Sequence, residues 1–353
     1  MVQGQEGTDR QGGNAPTEGA EGLNLLVVLP ALNEERTVGD VIRRIPRGVE
    51  GISSTQVLVV DDGSSDQTGA RAAEAGAEVI RHDSPLGVGE AFREALTYAI
   101  DRPIDLIVCI DADGQFDPAD IPALTKPVVE GKADFATASR FKDPSLTPKM
   151  PWVKRWGNGM MSRLISHLSQ QKFHDVSCGM RCYSREAAMH LNLLGGFTYT
   201  QEVFLNLAFK KMRIVEVPVK VRGRREFGKS RVANSIPKYA FNTLRIILRC
   251  YRDYRPMKFF GWIAAVLMVP GGLLVGFLLT WYIIHGAFTP HKWAGFTGVS
   301  LFAMGLLVLW FGMIGDMLDR HRIYLEELLY EQRRVKHPRH RREEDANKSG
   351  NEN

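Results

Sequence analysis

Two carboxylates and an amide follow a short apolar run near the middle of the chain. Residues 106–110 are all apolar, and Asp111-Ala-Asp113-Gly-Gln115 comes directly after them. A continuous apolar run is typical of a strand that is covered on both faces. In extended backbone Asp111 and Asp113 point to the same side, where two carboxylates repel each other unless protons, water or a cation intervene. With the oxygen of Gln115, the pattern predicts a site for a hard divalent cation, and a solvated acidic turn is the alternative.

Strand-like and helix-like stretches alternate around this motif. Strands are predicted at 23–30, 56–60, 77–81, 106–110, 133–139 and 214–221. Helically spaced apolar residues fill most of the intervals between them. The alternation predicts an α/β fold with a Rossmann-like, mostly parallel sheet. Ligands of such sheets bind beyond the carboxyl ends of the strands, which is where the acidic turns after Val60 and Ile110 lie.

Three polar motifs stand in order at successive predicted strand ends. They are Pro30-Ala-Leu-Asn-Glu34, Asp61-Asp-Gly-Ser-Ser-Asp66 and Asp111-Ala-Asp-Gly-Gln115. Together they resemble the family 2 glycosyltransferases of GT-A fold, and most closely the dolichyl- or polyprenyl-phosphate mannosyl- and glucosyltransferases. The resemblance covers residues 24–231. It implies inverting transfer of a hexose from a nucleotide diphosphate sugar to polyprenyl phosphate.

The resemblance also implies a role for each motif. The donor nucleotide is expected to lie among five residues of the first two motifs, namely Pro30, Leu32, Glu34, Val60 and Asp62. Mg²⁺ or Mn²⁺ is expected on the donor diphosphate, held by Asp111, Asp113 and Gln115. A cation there stabilises the charge of the leaving group without proton transfer. Outside this context, a helix-capping turn is the more common interpretation of residues 61–66.

An amphipathic segment at 150–168 is the expected acceptor region. Trp152 and Trp156 recur with further apolar residues at helical spacing, and Lys154 and Arg155 lie between them, as in a helix at a membrane interface. The resemblance implies that Arg140 and either Lys154 or Arg155 bind the lipid phosphate. The choice between the two stays open, because a lysine holds phosphate as a point charge and an arginine as a fork.

A basic loop later in the chain is the remaining motif. Residues 225–231 resemble the family's Arg-x-x-Gly-x-Ser-Lys loop, which implies that Arg225 and Arg231 lie over the donor diphosphate, and a solvated basic loop is the alternative. Asp113, Arg140 and Arg225 are the residues expected to carry the transfer step. The role of Glu202, where the family often has an acid, is open between helix capping, support of a neighbour and substrate contact.

Charge and cysteine usage indicate the class of binding partner and the redox state of the thiols. The net charge is +5, and Lys and Arg crowd residues 210–258 and 320–342. This distribution favours anionic lipid or phosphate-bearing partners, and no known nucleic-acid-binding motif is present. The four cysteines form no Cys-x-x-Cys pair, which predicts reduced, structural thiols.

Composition divides the chain into six segments. They are a polar tail without a signal-peptide pattern at 1–22, a catalytic domain at 23–231, an amphipathic juxtamembrane segment at 232–258, transmembrane helices at 259–284 and 295–315, and a charged helix with a basic tail at 316–353. The loop between the two spans has few positive charges and the outer flanks have many. The positive-inside rule therefore places the catalytic domain and both termini in the cytoplasm. A buried hairpin of a soluble protein is the alternative.

Other functions fit parts of the pattern. A processive polysaccharide synthase shares the fold but carries Gln-x-x-Arg-Trp, and Trp152-Val-Lys-Arg-Trp156 lacks the Gln. A catalytically silent nucleotide-binding membrane subunit would not need the intact acidic motif. Transfer to a saccharide or another lipid also stays open, as do the sugar, the nucleotide, the polyprenol and the oligomeric state, a homo-oligomer included.

Overall fold

The computed structural model describes residues 22–192, 200–222 and 236–337, and a mixed sheet lies at its centre. The strands are β1 (Leu23–Ala31), β2 (Ile52–Asp61), β3 (Glu78–Arg81), β4 (Leu106–Cys109), β5 (Phe135–Ser139), β6 (Arg181–Ser184) and β7 (Ile214–Pro218). Their order is β3-β2-β1-β4-β6-β5-β7. Only β6 runs against the other described strands, since it pairs antiparallel with both β4 and β5. The predicted mostly parallel sheet is confirmed.

Ten helices surround or follow this sheet within the described ranges. They are α1 (Val38–Arg43), α2 (Thr68–Glu74), α3 (Val88–Ile100), α4 (Ile121–Val129), α5 (Trp152–Ser169), α6 (Arg185–His190), α7 (Thr200–Phe209), α8 (Ile236–Tyr254), α9 (Pro256–His285) and α10 (Lys292–Lys336). Strand side chains alternate between two cores. Leu26 and Val28 of β1 pack with Phe92 of α3 on one face, whereas Val27 and Leu29 pack on the other face with the residues of α1 and α4.

The parallel register brings the strand ends to one edge of the sheet. Val28 of β1 lies opposite Leu58 of β2 and Cys109 of β4. The turns after β1, β2, β4 and β5 therefore all leave the sheet at the same edge, and so does the turn that precedes the antiparallel β6. We call this edge, formed by residues 30–34, 61–66, 111–115, 139–140 and 175–179, the polar edge.

Small residues form the contact between α9 and α10. Gly298, Gly305 and Gly312 of α10 are buried and recur every seven residues. A Cβ at Gly298 would lie 2.8 Å from the Gly271 carbonyl oxygen of α9, so the two backbones approach too closely for any larger residue. Among the described residues, α9 and α10 are the two helices long and apolar enough to cross a membrane. The two predicted apolar segments thus form a helical hairpin.

The second half of α10 packs against the catalytic domain. The predicted second span and the charged helix after Asp316 are one continuous helix of 45 residues. Lys210, directly after α7, pairs with Glu326 of α10 at 2.9 Å. Tyr330 donates a hydrogen bond to Glu186 of α6 at 2.8 Å, and Arg333 donates one to the Met189 carbonyl oxygen at 2.5 Å. The hairpin is therefore tied to the catalytic domain at a second place besides the chain connection through α8.

Candidate functional site

The carboxylates at the end of β2 are bound into their own loops. Asp62 is 4% exposed. Its Oδ1 accepts a hydrogen bond from the Leu86 amide at 2.8 Å, and its Oδ2 accepts one from the Gly87 amide at 2.9 Å. The His82 ring nitrogen Nδ1 lies 2.8 Å from the same Oδ1. Asp62, expected to contact the donor, therefore holds residues 84–87 against the end of β2.

The loop after β1 is joined to the loop after β2. The Asn33 amide donates to Ser64 Oγ at 2.9 Å, and Asn33 Oδ1 accepts from the Ser65 amide at 2.8 Å. Asn33 has a φ of 54°, a left-handed conformation that asparagine tolerates better than most residues. The Glu34 amide donates to Thr68 Oγ1 at 2.8 Å, which ties the first motif to α2. The first two sequence motifs thus form one rigid part of the polar edge.

The predicted donor residues differ in accessibility. Pro30, Leu32 and Glu34 are partly exposed at the polar edge. Val60 is fully buried in the core that also contains Phe92. Its side chain therefore offers no surface to a nucleotide. The whole second half of β2, from Val57 to Asp61, is buried. Among the five predicted residues, Val60 is the one whose side chain the structure places in the core.

The acidic motif after β4 adopts a turn earlier than its sequence pattern predicts. β4 ends at Cys109, and Ala112 and Asp113 already belong to a turn. Alternation along an extended strand therefore does not orient the two carboxylates. Asp111 is partly exposed, whereas Asp113 is 2% exposed and its Oδ1 accepts a hydrogen bond from the Gln115 amide at 3.0 Å. The Gln115 side chain is held by its Nε2, which donates to the Arg222 carbonyl oxygen at 3.2 Å.

The backbone before β6 packs against Asp111. A Cβ at Gly179 would lie 2.3 Å from Asp111 Oδ2, which only glycine avoids. Within the described ranges, no group of three or more His, Cys, Asp or Glu side chains could hold a metal ion. The predicted set at the polar edge has two carboxylates and one amide oxygen. A hard cation bound there would complete its shell with water and substrate phosphate. These residues fit Mg²⁺ or Mn²⁺.

Arg140, at the end of β5, is held in a bidentate ion pair. Its Nε donates to Asp175 Oδ2 at 2.6 Å, its Nη2 donates to Asp175 Oδ1 at 2.9 Å, and Nη2 also donates to Ser177 Oγ at 2.8 Å. Burial disfavours the charged guanidinium, but the hydrogen bonds and charge of Asp175, with a weaker contribution from Asp111, raise the pKa of Arg140 above its ordinary value. Among the described residues Nη1 makes no hydrogen bond.

Asp175 itself is fixed by β7. Its amide donates to Glu216 Oε1 at 2.8 Å, and the His174 ring nitrogen Nδ1 lies 2.7 Å from Glu216 Oε2. Ser177 Oγ donates to Asn158 of α5 at 2.8 Å, which connects the pair to the amphipathic helix. Neither Asp175 nor Glu216 was among the site residues predicted from the sequence. The available signal was a charged residue inside the otherwise apolar strand β7.

The remaining predicted acceptor and donor contacts are described only in part. Arg155 is exposed on α5, and Trp152 beside it is 77% exposed. The side chain of Lys154 lies outside the described ones, and Arg225 and Arg231 lie outside the described residues. The roles expected for these three residues stay predictions.

Glu202 lies in a different environment. It is buried on α7 and lines a cavity of about 610 Å³ between α3, α7, α8 and α10. None of the acidic residues of the polar edge lines that cavity. The structure thus places Glu202 among the helices that join the catalytic domain to the hairpin.

Comparison with known proteins agrees with this geometry. The model of the family "Glycosyl transferase family 2" matches residues 26–191. An uncharacterized glycosyltransferase of Mycobacterium tuberculosis is 36% identical over 211 residues, which cover 60% of this chain and 90% of the relative. Glycosyltransferase AglJ of Haloferax volcanii is 27% identical over 306 residues, 86% of this chain and 96% of the relative. The second alignment is longer than the predicted catalytic domain and therefore reaches into the helices that follow it.

A solved structure shows the same fold. Glucosyl-3-phosphoglycerate synthase from Mycobacterium tuberculosis, solved with Mn²⁺, UDP-glucose and phosphoglyceric acid, superposes with a TM-score of 0.52 and 24% identity over 65% of this chain and 80% of that one. The likeness concerns the GT-A fold. With the three motifs at one edge of the sheet and the extent of the sequence matches, the chain belongs to glycosyl transferase family 2.

Proposed function

We propose that this glycosyltransferase is membrane-bound and transfers a hexose from a nucleotide diphosphate sugar to polyprenyl phosphate, with Mg²⁺ or Mn²⁺ on the donor. The observation that carries the proposal is the position of Arg140 at the polar edge. It lies near enough to Asp111 for that carboxylate to influence its pKa, and its support connects it to α5, whose aromatic face is exposed. The residues proposed for the donor, the cation and the acceptor phosphate thus all belong to the polar edge, to which α5 is connected.

The donor half of the proposal rests on the acidic motif. Asp111, Asp113 and Gln115 would hold the cation, and the cation would stabilise the charge that builds on the nucleoside diphosphate as it leaves. Pro30, Leu32 and Glu34 line the neighbouring part of the edge. The structural neighbour solved with Mn²⁺ and UDP-glucose supports the same class of donor and cation.

The acceptor half rests on charge and on the apolar helices. A lipid phosphate is already anionic at neutral pH, so it needs positioning more than it needs a general base. Its oxygen attacks the anomeric carbon while the bond from that carbon to the donor phosphate oxygen breaks, and the nucleoside diphosphate leaves. Arg140 Nη1, together with Lys154 or Arg155 of α5, would hold the attacking phosphate. Attack from the side opposite the leaving group inverts the anomeric carbon.

The membrane arrangement follows from the same elements. α5 exposes Trp152 and Trp156, and α8 exposes Phe241, Leu244 and Leu248, so both present apolar faces suited to a membrane surface. α9 and α10 would cross the bilayer as a hairpin, with the catalytic domain and both termini in the cytoplasm. An acceptor with a long hydrocarbon tail would then reach Arg140 without leaving the membrane.

A transfer assay tests the function directly. Full-length protein in detergent is incubated with polyprenyl phosphate, Mn²⁺ and each of several labelled nucleotide sugars, and label in the lipid phase is measured. We expect transfer from at least one donor and none without the lipid phosphate. Transfer to water-soluble sugars alone would overturn the lipid acceptor, and absence of transfer from every donor would favour a silent nucleotide-binding subunit.

The Arg140→Ala variant tests whether Arg140 binds the acceptor phosphate and not the donor. We expect the polyprenyl phosphate concentration for half-maximal rate to rise about tenfold or more, because a charge-assisted hydrogen bond is lost on one substrate only. Nucleotide affinity, measured by titration without acceptor, should stay within about twofold. The matched control is Arg213→Ala, because Arg213 pairs with Asp134 away from the polar edge. Equal loss of nucleotide affinity in Arg140→Ala would contradict the acceptor assignment.

A further inference from the structure

His82 lies between two carboxylates just after β3. Its side chain is 8% exposed. Nδ1 lies 2.8 Å from Asp62 Oδ1, and Nε2 lies 2.5 Å from Glu94 Oε2. Ionised carboxylates accept hydrogen bonds and donate none, so both contacts are hydrogen bonds only when both ring nitrogens carry protons. An imidazolium satisfies both contacts, whereas a neutral ring can donate to only one of the two oxygens.

The ring joins three elements of the donor side. Asp62 ends β2 and accepts the amides of Leu86 and Gly87, while Glu94 lies on α3. Gly87 directly precedes α3 and has a φ of 103°, a backbone conformation that glycine adopts without strain. His82 thus fixes Asp62 from one side and α3 from the other, and Asp62 in turn fixes the loop at 84–87.

The other charged groups around the ring are satisfied elsewhere or exposed. Arg81 donates to the Ser64 carbonyl oxygen at 3.0 Å and lies 3.8 Å from Asp61 Oδ2. On α3, Arg93 pairs with Glu90. Asp83 is exposed. Burial of the ring disfavours its charge, but the hydrogen bonds and charges of Asp62 and Glu94 outweigh burial and raise the pKa of His82 above its ordinary value.

We propose that His82 is a positioning residue for the donor, whose protonated ring holds Asp62 and the loop at 84–87 in the shape that binds the nucleotide. The inference rests on the proposed donor site at this edge. His82 touches neither the cation ligands nor the reacting atoms in this assignment. It acts through Asp62, and its effect is on donor affinity instead of on the chemical step.

Protonation of the ring determines how nucleotide affinity should change with pH. The folded-state pKa is raised, so the tie between Asp62 and Glu94 is complete below about 6.5, the ordinary value for histidine. It is lost as the pH rises through the raised value. The neutral ring then releases one carboxylate, and the loop at 84–87 loses support. Nucleotide affinity and protection of the loop should both decline over that range.

The test compares variants with the wild-type protein at each pH, which cancels the ionisation of the nucleotide itself. Full-length protein in detergent with Mn²⁺ is titrated with UDP and with GDP at pH 6 and at pH 9. His82→Asn can donate to only one of the two carboxylates. We expect its dissociation constant to exceed that of the wild type by about tenfold at pH 6, and the two to converge at pH 9, where the wild-type ring has also lost its charge.

Two further variants keep the proposal testable if His82→Asn does not fold. Glu94→Gln removes one carboxylate and should move the loss of wild-type affinity to lower pH. Arg93→Gln, on the same helix but without contact to His82, is the matched control and should behave as the wild type. Hydrogen exchange of the Leu86 and Gly87 amides gives a readout that needs neither donor nor transfer, and their protection should fall in His82→Asn at pH 6.

The outcomes separate this inference from the proposed function. Failure of lipid transfer with a normal pH-dependent difference in nucleotide affinity would overturn the acceptor and leave His82 as assigned. A ratio of dissociation constants that is the same at pH 6 and pH 9, or unchanged exchange at Leu86 and Gly87, would overturn the positioning role. An effect of Arg93→Gln equal to that of His82→Asn would overturn it as well, because the effect would then belong to α3 in general.

Discussion

The acidic turns after β2 and β4 resemble each other in sequence, but the structure uses them differently. After β2, Asp61 Oδ1 accepts the Ser64 amide at 3.0 Å, and Asp62 accepts two amides and faces a histidine. After β4, Asp111 is partly exposed and is approached by the backbone of Gly179. A carboxylate whose oxygens are used by its own loop is a structural tie. Asp111, which the backbone of Gly179 approaches at the polar edge, belongs instead to the motif proposed to take an external cation.

Backbone amides surround the carboxylates at the end of β2. The loops at 63–66 and 84–87 bring several backbone amides toward Asp61 and Asp62, and those amides stabilise negative charge as a cation would. The turn at 111–115 contributes the Gln115 amide to Asp113, and the Gln115 side chain is held by Arg222. The amides of Ser64, Leu86 and Gly87 therefore identify the acidic turn after β2 as a structural tie.

The largest expected effect is the loss of the cation site. Asp113→Asn should lower transfer at saturating donor and acceptor at least about a hundredfold, because the charge of the leaving group is no longer stabilised. Thermal unfolding followed by circular dichroism should shift little, because the Oδ1 of an asparagine can still accept the Gln115 amide. Transfer in the presence of EDTA should be equally low in the wild type. Transfer near the wild-type rate in either case would show that Asp113 is a second structural tie.

A smaller effect is expected where geometry changes and charge does not. Gly179→Ala places a Cβ 2.3 Å from Asp111 Oδ2, so the carboxylate must move. We expect transfer to fall about tenfold and the Mn²⁺ concentration for half-maximal rate to rise. Gly48→Ala is the matched control, because a Cβ there meets nothing within 4 Å. If both substitutions leave the Mn²⁺ requirement unchanged, Asp111 is not positioned by Gly179.

Much of the fold could be predicted because its signals are local. Strand-like runs marked β1 to β5 and β7, and helical spacing marked most of the helices between them. β6 was missed because its four residues, Arg-Cys-Tyr-Ser, show no apolar run, and its place between β4 and β5 depends on partners distant in sequence. The continuity of α10 was also missed, since the change from apolar to charged composition at Asp316 reflects a change of surroundings and not the end of a helix.

The sequence named candidate site residues but not the residues that support them. Asp111, Asp113 and Gln115 were named from a short pattern, and Arg140 from the family resemblance. The ties of Arg140 to Asp175 and of Asp175 to Glu216 join residues 35 and 41 positions apart. No local pattern specifies such pairs, because they depend on how β5, β7 and the turn before β6 meet. For the same reason the sequence could not show that Asp62 is already engaged by the loop at 84–87.

The smallest expected effect on the chemical step, and the largest on stability, comes from a change of Asp62, the structural tie after β2. Asp62→Asn removes the charge that the Leu86 and Gly87 amides and His82 stabilise, so we expect the free energy of unfolding to fall by about 1–3 kcal/mol. The donor concentration for half-maximal rate should rise about tenfold, while the rate at saturating donor should fall less than threefold. Asp83→Asn is the control, because Asp83 is exposed beside the same loop. Chemical denaturation and steady-state kinetics check both parts. An Asp62→Asn protein that unfolds as the wild type does but transfers as poorly as Asp113→Asn would make Asp62 a direct ligand, and the two acidic turns would then serve the same purpose.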